Sequence, residues 1–142
     1  MQERLLVVRF LRVDEQPILL KCQIKHPDHM IIFDLSLTEE EIFQELKPNG
    51  LILINSNEAI DFFKNLRRYR IGLIDAGSVA RNAGLGGTFN MAMLGAYTRL
   101  THLVKMETLL EVVRKVVPSR TEENVESVKE AYEQAKVFEV EG

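Results

Sequence analysis

The residues best able to do chemistry stand at the carboxyl ends of three apolar runs. Met30-Ile31-Ile32-Phe33 ends at Asp34, Leu51-Ile52-Leu53-Ile54 ends at Asn55-Ser56, and Ile71-Gly72-Leu73-Ile74 ends at Asp75. A short continuous apolar run suits a parallel strand covered on both faces. In open parallel sheets, ligands sit beyond the carboxyl ends of the strands. A rim of Asp34, Asn55, Ser56 and Asp75 could therefore hold a polar small molecule through hydrogen bonds. The same residue types also cap helices and make turns with no ligand present, and that is their commoner use.

A second candidate is Gly84-Leu85-Gly86-Gly87-Thr88, which leads into Asn90-Met91. Glycines before a helix can turn backbone N–H groups toward an anion. No lysine follows them, so this is not a Walker A loop. Phe89 stands where a dinucleotide fingerprint needs its third glycine. A flexible entry to the helix is the simpler reading. His26-Pro27-Asp28-His29 has residue types used at metal sites, but nothing nearby completes a ligand set, and Pro27 shapes a turn. His102 falls at a helix end, where an imidazolium suits the dipole. No nucleophile elbow or Ser–His–Asp order can be assembled. The sequence names no catalytic or metal-ligating residue; Asn55, Ser56, Gly86, Gly87, Thr88, Asn90 and Met91 are candidates for ligand or interface contact.

The elements that must position these residues are read from periodicity. Residues 5–13 and 18–24 alternate as two strands around the turn Asp14-Glu15-Gln16-Pro17, predicting an N-terminal antiparallel hairpin. Thr38 and Glu41 form a capping box opening a helix to about Leu46, with Ile42, Phe43 and Leu46 as its face. Asn57 could cap a second helix, with Ile60, Phe63 and Leu66 inward. Strand–helix–strand–helix–strand at this spacing predicts an open parallel sheet. Residues 76–82 are a short helix or link. Residues 90–102 are apolar nearly all round and carry no acid, so that helix is buried on most sides. Gly95 inside it costs about 1 kcal/mol against alanine, which makes sense if another backbone or a ligand comes close. Residues 106–117 show one apolar face: Met106, Leu109, Leu110, Val113, Val116 and Val117. Ser119 and Glu122 form another capping box, and a last helix runs to about Lys136 with Val125, Val128, Ala131, Tyr132 and Ala135 inward. The fold class is α/β: an open, mainly parallel sheet with flanking helices, Rossmann-like and three-layered, with the N-terminal hairpin and a C-terminal helical segment. The 142 residues are expected to form a single domain.

Composition limits the function classes. A formal net charge of −3 argues against nonspecific nucleic-acid binding. Arg67-Arg68-Tyr69-Arg70 reads as a solvated helix end. The lone Cys22 makes no internal disulfide and cannot hold an iron–sulfur cluster, which needs several thiolates. It fits a reducing cytoplasm. The N-terminus does not resemble a signal peptide, and no apolar run is long enough to span a bilayer.

Asn90-Met91-x-Met93-Leu94-Gly95-Ala96, then Leu100-Thr101, resembles the end of the gamma subunit or domain of 2-oxoacid:ferredoxin oxidoreductases. The similarity continues through Glu107-x-Leu109-Leu110, Glu123-Asn124 and Glu130-Ala131-Tyr132-Glu133-x-Ala135. Upstream, Pro27-Asp28-His29-Met30-Ile31-Ile32-Phe33-Asp34 is similar to that family's central strand. Leu46-x-Pro48-x-Gly50-x-Ile52-Leu53-Ile54-Asn55-Ser56 resembles its next helix–strand step. The resemblance covers the chain from about residue 5 and implies coenzyme A-dependent oxidative decarboxylation of a 2-oxoacid, with electrons passed to ferredoxin. It implies that thiamine diphosphate is held by alpha- and beta-type partners and iron–sulfur clusters by beta- and delta-type partners, leaving none in this chain. The gamma part would be a noncatalytic wall of the assembly. Family members begin with a strand and a Gly-Gly-Gln-Gly turn into a helix. Nothing before Leu5 corresponds to that unit, so the domain reads as N-terminally shortened, and a sheet lacking it would expose an edge that a partner must cover. The alternatives are a stand-alone small-molecule-binding module of doubly wound type, or a scaffold whose apolar helix docks a homo-oligomer.

Overall fold

In the computed structural model, which describes residues 9–19, 23–38 and 40–141, the three apolar runs lie side by side as parallel strands. These are β1 (His29–Ile32), β2 (Leu51–Asn55) and β3 (Arg70–Ile74). His29 pairs with Leu51, and Leu51 with Arg70, so the carboxyl ends finish together. A further strand, β4 (Lys136–Phe138), runs antiparallel to β3, giving the order β1-β2-β3-β4.

Four helices follow β3: α1 (Ala76–Asn82), α2 (Asn90–Thr101), α3 (Met106–Val116) and α4 (Thr121–Gln134). Side chains alternate across a strand, and β2 divides its own between two cores. Leu51 and Leu53 pack with Val79, Met93, Ala96 and Leu100 of the helical layer. Ile52 and Ile54 pack with Phe43, Leu46, Phe63 and Leu66 on the opposite face. The expected three layers are therefore present. A third cluster joins Leu109 and Val113 of α3 to Val125 and Val128 of α4.

The layer opposite α1–α4 differs from the one expected. Its connections are 3₁₀ segments, Leu35–Leu37, Glu40–Glu45 and Ile60–Leu66, the last broken by a non-helical Phe63. Phe43, Leu46, Phe63 and Leu66 of these connections are buried in the core on this face of the sheet. Neither capping box forms. Thr38 Oγ1 donates to the Asp34 carbonyl, and Arg120, not Ser119, precedes α4 in a left-handed conformation. Ala59, not Asn57, precedes the Ile60–Leu66 segment. The last helix stops at Gln134, because Val137 and Phe138 gain more by burial on the two faces of β3 than by continuing α4. Val116 is 62% exposed, outside the α3 stripe in which it was placed.

The N-terminal hairpin does not form among the described residues. Residues 9–13, 18, 19, 23 and 24 join no strand, and Leu11, Val13 and Leu19 are exposed. A lone hairpin is marginal without a third strand or a helix to bury its face. Residues 5–8 and 20–22 of that expectation, Cys22 included, lie outside the described residues. No helix of the described residues is long and apolar enough to cross a membrane.

Candidate functional site

The carboxyl ends of β1 and β2 open into a shallow hollow of about 480 Å³. Phe33, Asp34, Ser36, Asn55, Ser56, Glu58, Phe62 and Phe89 line it. The rim expected from the sequence is therefore assembled in part. Asn55, however, is engaged at both its amide nitrogen and its amide oxygen. Its Nδ2 donates to the Phe33 carbonyl at 3.1 Å, and its Oδ1 accepts from the Ala76 amide at 3.0 Å. One side chain thereby ties the end of β1 to the start of α1. The Ser56 hydroxyl accepts from the Glu58 amide at 3.0 Å, closing a turn. Asp34 accepts from the Ser36 amide and hydroxyl, and Asp75 from those of Ser78. These polar groups hold the chain's own turns, their commoner role.

The remaining candidates do not converge on this hollow. Gly86 has a left-handed φ of 63°, and a Cβ at Gly86 or Gly87 would meet nothing within 4 Å. The glycine turn is thus open surface. Thr88 and Asn90 are exposed, while Met91 packs toward α3 and α4. Only Phe89 of this segment reaches the hollow, its ring 6.0 Å from that of Phe33. Among the described residues, Asp34 and Glu58 are the charged side chains that line the hollow.

α2 is placed as expected from its composition, with Ala92, Met93, Gly95, Ala96 and Leu100 buried. A Cβ on Gly95 would sit 2.2 Å from the Val128 carbonyl oxygen. The close neighbour is thus the backbone of α4, not a ligand.

Two features at the opposite, amino-terminal edge of the sheet were invisible in the sequence. His29 Nδ1 lies 2.6 Å from the Tyr97 hydroxyl, across 68 residues of chain. Desolvation lowers the His29 pKa, opposed by Asp28 and aided by Arg70. Desolvation, then Asp28, raises that of Tyr97. With the imidazole neutral, the phenol O–H donates to Nδ1. Arg70 Nη1 also donates to the Leu100 carbonyl at 2.7 Å, and its Nε to Glu139 at 3.0 Å. Arg67 donates to the Glu139 carbonyl and lies over the Phe138 ring. These arginines clamp β4, correcting their reading as a solvated helix end. His26 does not join His29; its Nδ1 lies 3.3 Å from the Glu45 carbonyl oxygen. Among the described residues, no group of three His, Cys, Asp or Glu could hold a metal ion.

The rim side chains that bond to their own backbone and the buried helix packed backbone to backbone on its neighbour belong to an α/β domain of one mixed sheet with flanking helices. Comparison with known proteins identifies which one. The family model for pyruvate ferredoxin/flavodoxin oxidoreductase matches residues 4–134, and the chain belongs to that family. It is 34% identical over 140 residues to the pyruvate/ketoisovalerate oxidoreductases common subunit gamma of Pyrococcus abyssi, covering 94% of this chain and 75% of that one. It is 28% identical to the pyruvate synthase subunit PorC of Methanothermobacter thermautotrophicus, covering 94% and 73%. The crystal structure of pyruvate oxidoreductase subunit PORC from Thermotoga maritima superimposes with a TM-score of 0.74 at 25% identity, over 82% of this chain and 67% of that one. The chain is a gamma-type member of the family.

Proposed function

We propose that this chain is the noncatalytic gamma-type subunit of a thiamine diphosphate-dependent 2-oxoacid:ferredoxin oxidoreductase, an assembly that oxidatively decarboxylates a 2-oxoacid with coenzyme A to acyl-CoA. The observation carrying this reading is the family match over residues 4–134. The 142 residues form one gamma-type domain, and its work is structural. The single cysteine does not fit an iron–sulfur cluster. Nor do the described residues offer the carboxylate cluster that a metal-bound diphosphate would require. The family resemblance assigns both groups to alpha-, beta- and delta-type partners, and the proposal gives no chemical step to residues of this chain.

The test is co-expression with those partners in a cytoplasmic host. This chain alone should show no turnover of pyruvate and coenzyme A, and a tag on it should retain the thiamine-binding chains through purification. Failure to retain any thiamine-binding partner would overturn the assignment.

A further inference from the structure

A second hollow, of about 580 Å³, lies on the 3₁₀ layer away from the strand rim. It is lined by His26, Gln44, Lys47, Asn49, Arg68 and Tyr69 among others, with no acidic side chain among the described lining residues. The contrast with the first hollow is one of sign. Among the described lining residues, Asp34 and Glu58 carry the charge of the first hollow, whereas Lys47 and Arg68 carry that of the second, on a chain whose net charge is −3. Local sign opposed to net sign steers a charged partner to one place on a surface.

The cations are held but not used up. Arg68 is exposed, and its guanidinium lies over the Tyr69 ring at 4.9 Å. That contact orients the group and leaves its donors to be filled. The Tyr69 ring is itself fixed, because its hydroxyl donates to the Phe43 carbonyl at 2.8 Å inside the core. Lys47 pairs with Asp28 at 3.2 Å, with both side chains largely exposed. Exposed pairs of this kind contribute little, about 0–1 kcal/mol, so another carboxylate can compete for the ammonium. Asn49 adds an amide on a turn held in the left-handed region, at φ 62°, closed by the Gly50 amide donating to the Lys47 carbonyl.

We propose that this hollow is a docking site for an acidic segment of a partner polypeptide, carrying at least two carboxylates. The hollow is shallow, and a small isolated anion on exposed cations gains little. Two linked carboxylates reaching Lys47 and Arg68 gain from effective concentration. The site is independent of the strand rim. Its partner need not be a thiamine-binding chain, so a negative result here leaves the co-purification test unaffected.

The experiment is titration of the 142-residue chain with a hexaglutamate peptide, followed by amide and arginine Nε chemical shifts. Saturable shifts are expected at Asn49, Lys47 and Arg68, disappearing near 1 M NaCl, where the Debye length is about 3 Å. Arg68→Glu should weaken binding by about tenfold and, separately, Lys47→Gln by about three- to fivefold, whereas Lys115→Glu on α3 should leave it within about twofold. Retained β2 and β3 shifts confirm that each variant folds; should one variant fail to fold, the other decides. Three results would overturn the proposal: no saturable shift in the hollow, equal weakening by Lys115→Glu, or inorganic phosphate binding there as tightly as the peptide.

Discussion

At the scale of single residues, the polar groups that drew attention in the sequence turn out to serve the backbone. Asn55 bridges β1 to α1, while Asp34 and Asp75 close turns. The groups with displaced titration lie elsewhere, in the His29–Tyr97 pair. His29 has its folded-state pKa below the usual 6.5. Its contribution to stability is therefore fully present above that value and lost as pH falls through the folded value. Tyr97 is raised above 10.0. Its contribution is complete below that value and lost as pH rises through the folded one. Thermal melts at pH 7.5 and about pH 5 should show a larger fall in midpoint for the native chain than for His29→Asn. Parallel falls would show that the imidazole carries no such linkage. Nothing in the sequence marks this pair, because its members are brought together only when β1 and α2 stack on a common sheet.

At the scale of elements, the composition of α2 foretold its burial. A helix with no acid, small residues at Ala92 and Ala96 and a glycine between must lie against something. The structure supplies α4, with Val128 backbone where the Gly95 side chain would be. Gly95→Ala would gain about 1 kcal/mol of helix propensity but force the two helices apart. Overpacking of a close-packed interior costs about 1–3 kcal/mol, and here the obstacle is rigid backbone. A net loss of about 2 kcal/mol is expected. It would be read as a lower urea midpoint with an unchanged slope; an unchanged midpoint would mean that the approach of α2 to α4 is looser than the structure shows. Other element readings failed for identifiable reasons. The capping patterns at Thr38 and Ser119 are local, and local hydrogen bonds compete with turns that tertiary packing selects. The final helix gives way to β4 because the open side of β3 offers Val137 and Phe138 more burial than solvent does.

At the scale of the whole molecule, β1 and β4 each pair on one side alone among the described residues, and the two edges differ in what they carry. β4 closes the β3 side and is secured by Arg67 and Arg70. β1 pairs on one side alone among the described residues, with Ile31 at 41% and Phe33 at 45% exposure. An unpaired edge bearing apolar side chains is a template for another chain, which accords with the proposed work of the molecule in an assembly. The outward amides of β1 should exchange with solvent quickly in the isolated chain and slowly in the complex. Exchange that is equally fast in both would show that the partners dock elsewhere.

The amino-acid sequence determined the strands at β1, β2 and β3, the burial of α2 and the family, because apolar run length, periodicity and motif order are properties of neighbours along the chain. Tertiary structure alone decided that β1 stands at an edge among the described residues, that a short strand returns beside β3, that the crossovers are 3₁₀ turns, and that the rim residues bond to their own backbone. Those outcomes depend on which surfaces meet across many residues of separation. A residue's type sets which bonds it can form; its neighbours in space decide which of them it does.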